Sequence, residues 1–238
     1  MTAPTTPRTD GRRDGAAVDI PAISRIVLRP IGSPLPLGVL VLVPAGVLLG
    51  VMQLGGIPVS ETKTVALILL GFVVPLQLIA SVLSFLARDT IAGTGLGLFA
   101  GTWLATALAL MSGAPGARSH ALGVFLLCVA GGMLVLVAGA SFGKVGPAMV
   151  MVVGALRFAV SGLYELLGGT GLEHAGAVIG LVLAGTALYS ALATEVEDVR
   201  GETKLPLGRR ALAAEALEGP FDRQLERIEH EAGVRQQL

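Results

Sequence analysis

Six long apolar stretches, separated by short polar segments, follow one another along most of the chain. They cover residues 36–54, 64–86, 91–111, 121–140, 146–167 and 175–193. Each has close to the roughly 20 residues with which a helix crosses the hydrocarbon core of a bilayer. The pattern therefore predicts six transmembrane helices. Because the loops are short, consecutive helices run antiparallel, which puts both termini on one side of the membrane.

Two further patterns lie in the second and third predicted helices, on either side of a polar hinge at residues 87–90. Polar side chains recur at helical spacing up to and into the hinge, at Gln77, Ser81, Ser84 and Arg88. Glycines recur every fourth residue after it, at Gly93, Gly97 and Gly101. The first pattern predicts a polar seam along one helix face, and the second a close contact between helices. Together they indicate a tightly packed bundle with a polar interior.

The composition is that of an integral membrane protein. Of the 238 residues, 53% are hydrophobic and 14% are charged, and the mean hydropathy is +0.77. Soluble domains rarely reach such values. The 17 basic and 17 acidic residues cancel, so the net charge gives no argument for nucleic acid as a partner. We expect an all-α protein whose surroundings are the lipid bilayer.

The basic residues are distributed unevenly between the two sides of the predicted bundle. Only Lys63 and Arg118 fall in the odd-numbered loops, and Arg157 lies inside a helix. All other basic residues lie in the tails and the even-numbered loops. Since cytoplasmic loops carry an excess of Lys and Arg, this asymmetry predicts a multi-pass protein of the cytoplasmic (inner) membrane with both termini in the cytoplasm.

The two ends of the chain are predicted to be tails. Residues 1–32 are polar and carry several arginines. They are too long and too charged for a cleaved signal peptide, so we expect a disordered cytoplasmic tail. Residues 33–208 form the predicted transmembrane domain. Residues 209–238 mix Leu with Glu and Arg, which predicts a cytoplasmic tail that is partly helical.

Signatures of enzymatic chemistry are scarce. His120, His174 and His230 stand in no metal-ligand spacing with one another or with Cys128, and no phosphate-binding Gly-Lys loop is present. The sequence therefore predicts no catalysis, no metal site and no cofactor.

Arg157 lies near the centre of the fifth predicted helix. An arginine at that depth costs at least about 2.5 kcal/mol on insertion scales, so it must face a polar partner or water. Ser161 and Glu165 follow on roughly the same face, but Glu165 is about 12 Å further along the axis, which makes a direct pair unfavourable. Two interpretations stay open. Arg157 attracts a small anion, or it is tied to a polar group on a neighbouring helix.

Several segments of the chain match a known pattern. Residues 33–39 read Ser-Pro-Leu-Pro-Leu-Gly-Val, against Asn-Pro-Ala-Pro-Leu-Gly-Leu, and residues 205–208 read Leu-Pro-Leu-Gly, against Leu-Pro-Ile-Gly. Single positions also match in the second, third and sixth helices: Gln77, Ala80, Thr90, Thr94, Trp103, Leu104, His174, Ile179, Gly180, Leu181, Ala187 and Tyr189. On these residues the chain resembles the acetate uptake transporter family.

The resemblance implies an architecture and a set of site residues. It implies a homo-hexameric ring of six-helix protomers, each with its own path for small monocarboxylates or succinate. The family's entrance signature falls on Pro34, Pro36, Leu37 and Gly38, and its constriction on Leu42, Phe99 and Gly154. We also expect Gln77, Ser84 and Arg157 to lie along the path.

The chain departs from the family pattern near that path. Ser33, Ser84 and Asp89 replace an Asn, a Glu and an Asn, and two members of the constriction are smaller. Arg157 stands where the family is apolar, one helical turn from Gly154. These departures predict a wider or differently gated path with a positive charge beside it.

The expected function is membrane transport of small organic anions, acetate or succinate-type carboxylates, by a carrier or a channel, with proton coupling left open. The alternative from another class is a non-transporting sensor or scaffold. Such a protein would keep the fold and bind partners through its cytoplasmic tails. Nucleic acid is expected as a partner in neither case.

Overall fold

Six apolar helical spans make up the structure, a computed structural model that describes residues 32–140, 145–200, 204–206 and 208. The spans are Leu35–Gln53, Val59–Leu86, Thr90–Ser112, His120–Gly139, Val145–Leu167 and Thr170–Arg200. The described residues contain no β-strand. The prediction of an all-α membrane fold with six spans is confirmed. Apart from Gly32, the tails predicted at 1–32 and 209–238 lie outside the described residues.

Prolines interrupt the first two spans. The first consists of helices Leu35–Leu40 and Leu42–Gln53; the second consists of a 3-10 turn at Val59–Glu61, a helix at Thr62–Ile68, a π-helical segment at Leu69–Val73 and a helix at Val74–Leu86. The interruption at Val41 lies shortly before Pro44, and the π-helical segment shortly before Pro75. Because proline has no N–H to donate to the carbonyl four residues earlier, the helical hydrogen bonds shift there.

The other helices are continuous: Thr90–Ser112, His120–Ala140, Val145–Leu167 and Thr170–Arg200. The last of these is longer than its apolar stretch at 175–193 predicts. Its 31 residues span about 46 Å, more than the roughly 30 Å of a hydrocarbon core. The apolar pattern thus marks only the part that fits the core, and the helix continues through polar residues such as Glu195 and Asp198.

The spans pack side by side in a closed ring. Each span contacts the next one along the chain, and the sixth span contacts the first. Every span contributes a buried side chain to the larger apolar core: Leu42, Val73, Phe99, Met133, Phe158 and Leu183. Large apolar side chains such as Leu134 and Leu188 are exposed on the outside. So much exposed apolar surface is typical of a face that contacts lipid.

The hinge between the second and third spans is a tight turn. Arg88, two residues after the end of the second span, has a φ of 60°, the left-handed conformation that commonly ends a helix. Asp89 then caps the third span, because its Oδ1 accepts a 3.0 Å hydrogen bond from the Ala92 N–H. The charged hinge is therefore built from helix-terminating contacts.

The polar seam and the glycine stripe meet next to this hinge. The Ser81 hydroxyl donates a 2.7 Å hydrogen bond to the carbonyl of Gly93. A Cβ atom at Gly97 would lie 3.0 Å from the same hydroxyl, whereas one at Gly101 would meet nothing within 4 Å. The stripe thus serves the contact between the second and third spans only over its first two glycines.

Candidate functional site

Arg157 is buried inside the bundle, with 3% of its surface exposed. Its Nη2 donates a 2.8 Å hydrogen bond to Oε1 of Gln53, the last residue of the first span. Its Nη1 has no hydrogen-bond partner among the described residues. One edge of the guanidinium is thus fixed by the protein. The other edge is a buried donor without an acceptor, a costly arrangement unless a further group supplies one.

Two glycines of the sixth span make room for this guanidinium. A Cβ atom at Gly176 would lie 2.7 Å from Nη1, and one at Gly180 would lie 3.2 Å from Nε. The first span also comes close at this height, since a Cβ atom at Gly46 would lie 2.5 Å from the Gly180 carbonyl oxygen. The small residues of the sixth span therefore allow the first span to approach closely, and they also leave space for the Arg157 side chain.

A cavity of about 70 Å³ lies beside Arg157. Its polar lining consists of Gln53, Trp103, Thr106, Arg157, Ser161, Tyr164 and Glu165, and leucines, Met52 and Phe158 complete the wall. Two of these side chains carry a buried polar atom that, like Arg157 Nη1, has no partner among the described residues: Trp103 Nε1 and Ser161 Oγ. Three hydrogen-bond donors without acceptors therefore belong to the wall of one small cavity.

Glu165 lines the cavity and connects its wall to the third loop. Its Oε2 accepts a 2.6 Å hydrogen bond from the Ser119 N–H, just before the fourth span. The neighbouring Arg118 approaches the Tyr164 carbonyl oxygen, 3.5 Å from its Nη1. Both contacts join the third loop to the end of the fifth span. The cavity thus lies toward the end of the bundle that carries the odd-numbered loops.

The guanidinium lies closer to this end than the sequence position of Arg157 indicates. Arg157 is ten residues before the end of its helix at Leu167, about 15 Å along the axis. Its side chain nevertheless contacts Gln53, at the end of the first span, and Gly176, about 9 Å into the sixth. The tie to a neighbouring helix that the sequence left open is present, and it occupies only one edge of the guanidinium.

Phe99 and Gly154, two of the three predicted constriction residues, are in direct contact. A Cβ atom at Gly154 would overlap the Phe99 ring, so the ring occupies the space that a side chain would take. Leu42 is fully buried in the same core. The Phe99 ring thus fills the space that the small residue at position 154 leaves, and a wider or differently gated path stays a prediction.

Phe99 also belongs to an aromatic cluster that reaches the cavity. Its ring centroid lies 5.5 Å from that of Phe158 and 6.4 Å from that of Trp103. Trp103 and Phe158 meet edge to face, with centroids 5.4 Å apart, a favourable geometry for aromatic pairs. The wall of the cavity and the predicted constriction are therefore parts of one packed cluster.

Gln77 and Ser84, predicted along the path, are fully buried but do not line the cavity beside Arg157, as far as the described residues define it. Gln77 Nε2 donates a 3.1 Å hydrogen bond to the Gly38 carbonyl, and its Oε1 has no partner among the described residues. The Ser84 hydroxyl donates to the Ala80 carbonyl of its own helix at 2.8 Å. The structure thus separates these two residues from Arg157.

The predicted entrance signature forms the start of the first span. Pro34 precedes the helix and Pro36 lies in its first turn, where a missing N–H costs no hydrogen bond. Gly38 packs against Leu96 of the third span and lies close to the second, since a Cβ atom there would be 3.1 Å from Ala80 Cβ. Leu37, 37% exposed, faces outward. The signature therefore sets the close approach of three spans.

The sequence analysis predicts no functional role for two residues of the cavity wall, Gln53 and Trp103. Gln53 is the only polar side chain between residues 35 and 54, and that isolation was the available signal. Trp103 was recognised as a family position, but the sequence gives no sign that its indole N–H lacks a partner. Both assignments depend on which side chains face one another, and periodicity within a single helix does not supply that.

The fold and this site define a helical membrane protein with six spans and a small polar cavity inside the bundle. Residues 19–201 match the model of the GPR1/FUN34/yaaH family. The chain belongs to this family, which confirms the resemblance found in the sequence.

Comparison with solved structures finds a similar fold. The chain is similar to a protein whose structure is described as that of the bacterial acetate channel SatP, with a TM-score of 0.67 and 20% sequence identity. The match covers 75% of this chain and 99% of the other. At this identity the likeness shows the fold. No curated protein matches the chain.

Proposed function

We propose that this protein transports small organic anions, acetate or succinate-type carboxylates, across the cytoplasmic membrane. The observation that carries the proposal is the free Nη1 of Arg157, a buried cationic donor beside a cavity of about 70 Å³. A carboxylate is the natural acceptor for a guanidinium edge. Family membership and the fold shared with an acetate channel support the same function.

In this proposal the anion enters at the end of the odd-numbered loops and meets Arg157 before it reaches the aromatic cluster. Phe99 then acts as the gate, because its ring fills the space over Gly154 and is 1% exposed. Passage requires this ring to move aside. Leu42, Gln77 and Ser84 belong to the part of the path beyond the gate, and the signature at Pro34, Pro36, Leu37 and Gly38 frames its cytoplasmic end.

Transport is tested by the flux of carbon-labelled acetate and succinate into proteoliposomes that contain the purified full chain. We expect saturable flux of at least one of these anions above that of protein-free vesicles. Absence of flux for both, in preparations that retain intact oligomers, would contradict transport and favour a non-transporting scaffold.

We further propose that the protein is a homo-hexamer with both termini in the cytoplasm. The unequal distribution of basic residues supports the orientation. Native mass spectrometry tests the assembly, and any other dominant stoichiometry would contradict it. For orientation, single cysteines are introduced as Thr9→Cys and Lys63→Cys in a Cys128→Ser background. A membrane-impermeant thiol reagent added to intact cells should label only the second.

A further inference from the structure

We infer that the cavity beside Arg157 is a binding site for monocarboxylates of one or two carbons, with Arg157 Nη1, Trp103 Nε1 and Ser161 Oγ as its donors. The inference deepens the proposed transport function by naming a narrower substrate class, and it rests on that function. It concerns residues outside the entrance signature and the predicted constriction.

The donors are what a carboxylate requires. A carboxylate is an acceptor with two oxygens and about four lone-pair sites. The wall of the cavity includes a cationic N–H, an indole N–H and a hydroxyl, and none of the three has a partner among the described residues. Trp103 is 2% exposed and Arg157 3%. Buried donors usually have partners, so three orphans around one cavity indicate that an acceptor binds there.

The size of the cavity restricts the ligand. A cavity of about 70 Å³ has room for only a few water molecules. Formate and acetate have three and four heavy atoms, whereas succinate has eight and two negative charges. The buried Trp103 and Phe158 rings pack against each other in the wall, which opposes expansion of the cavity at this side. We therefore expect the site to discriminate against dicarboxylates.

The charges of the wall favour a monovalent anion as well. Gln53 is uncharged, and its amide oxygen only accepts a hydrogen bond from Nη2. The positive charge of Arg157 therefore remains available to attract an anion. The other charged side chain of the wall is Glu165, which is held by the Ser119 N–H. A second negative charge on the ligand would meet this carboxylate across a small cavity, at an energetic cost.

Intrinsic fluorescence tests the inference directly, because Trp103 is the single tryptophan of the chain. The purified full chain in lipid nanodiscs is titrated with sodium formate, acetate, succinate and chloride at constant ionic strength. We expect a saturable change in Trp103 emission with formate and acetate, and at least a tenfold weaker response to succinate and chloride. Equal responses to acetate and chloride, or to acetate and succinate, would overturn the assignment.

Variants assign the response to the cavity. Arg157→Gln should abolish it, whereas Lys63→Gln, which removes an exposed charge at the same end of the bundle, should leave it unchanged. If Arg157→Gln does not fold, as judged by size-exclusion chromatography, Ser161→Ala serves in its place and should weaken the response severalfold. An unchanged response in a folded Arg157→Gln or Ser161→Ala protein would contradict the site.

The binding site and the transport function can be contradicted by different results. Saturable binding of acetate without flux in proteoliposomes would contradict the transport function and leave the binding site standing. Acetate flux without any change in Trp103 emission, and without protection of the protein against heat by acetate, would contradict the binding site and leave transport standing.

Discussion

Arg157 donates through Nη2 to Oε1 of Gln53 at 2.8 Å, while its Nη1 has no acceptor among the described residues. The two edges of the Arg157 guanidinium therefore have different roles. The tie fixes the plane of the group between the first and fifth spans. The free edge is held ready for an anion, so little side-chain freedom is lost when one binds.

Gln53→Leu should lower the stability of the protein and weaken the orientation of Arg157. A hydrogen bond to a charged group contributes about 1.5–3 kcal/mol, and its loss leaves a second edge of the buried guanidinium without an acceptor. We expect a lower melting temperature and weaker acetate protection against heat. Gln53→Glu provides the control, because it keeps the acceptor: its melting temperature should be retained, but its carboxylate should compete with the anion. A melting temperature of Gln53→Leu equal to that of the parent would contradict the role of the tie.

Gly176→Ala should impair anion binding more than stability. The added Cβ would lie 2.7 Å from Nη1, and this unbonded end of the side chain can shift at a small energetic cost while Nη2 keeps its hydrogen bond to Gln53. Displacement of the guanidinium should weaken acetate binding about tenfold, with little change in melting temperature. Gly185→Ala in the same helix is the matched control, since its Cβ would meet nothing within 4 Å. Equal acetate affinities of the two variants would show that the guanidinium need not lie on Gly176.

Phe99→Ala should open the gate. Removing this buried ring costs about 3–5 kcal/mol of stability, and it empties the space over Gly154. We expect a lower melting temperature together with faster acetate flux per folded protomer. Phe72→Ala removes a ring that is 51% exposed on the outer surface and should change neither quantity much. Slower flux through a folded Phe99→Ala protein would argue against a gate at this position.

Glu165→Gln should strengthen acetate binding. The substitution removes a like charge from the wall of the cavity and keeps an oxygen that can accept from the Ser119 N–H. We expect an affinity gain of about threefold to tenfold, larger at low ionic strength. Glu61→Gln removes an exposed carboxylate near the same end and should have no such effect. Weaker binding in Glu165→Gln would mean that Glu165 assists the anion instead of opposing it.

The sequence predicts the fold well because its apolar stretches match the length of a membrane span. Pro44 and Pro75 are visible in the sequence as residues that disturb a helix, and helix interruptions lie shortly before both. Helix ends are less predictable, since the apolar pattern ends where the hydrocarbon core ends and not where the hydrogen bonding does. The sixth span shows this, because it continues to Arg200 through polar residues.

The site is only partly predictable. The sequence singles out Arg157 by the cost of its charge, but it cannot supply Gln53 as its partner, because the two residues are 104 positions apart. Gly154 predicts a wider or differently gated path, but the sequence alone does not show that the Phe99 ring lies over this glycine. The Gln77 amide donates to the Gly38 carbonyl of the first span, which depends on packing between helices, whereas the Ser84 hydroxyl donates within its own helix.

The role of Arg157 in transport is tested by the flux of labelled acetate through Arg157→Ala and Arg157→Lys in proteoliposomes, with Lys63→Ala as the charge control. If the free edge of Arg157 binds the transported anion, both variants should lose at least tenfold in flux. The lysine variant keeps the charge but lacks the planar fork that can donate to Gln53 and to an anion together. Normal acetate flux by both folded variants, at the level of Lys63→Ala, would show that Arg157 does not bind the transported anion.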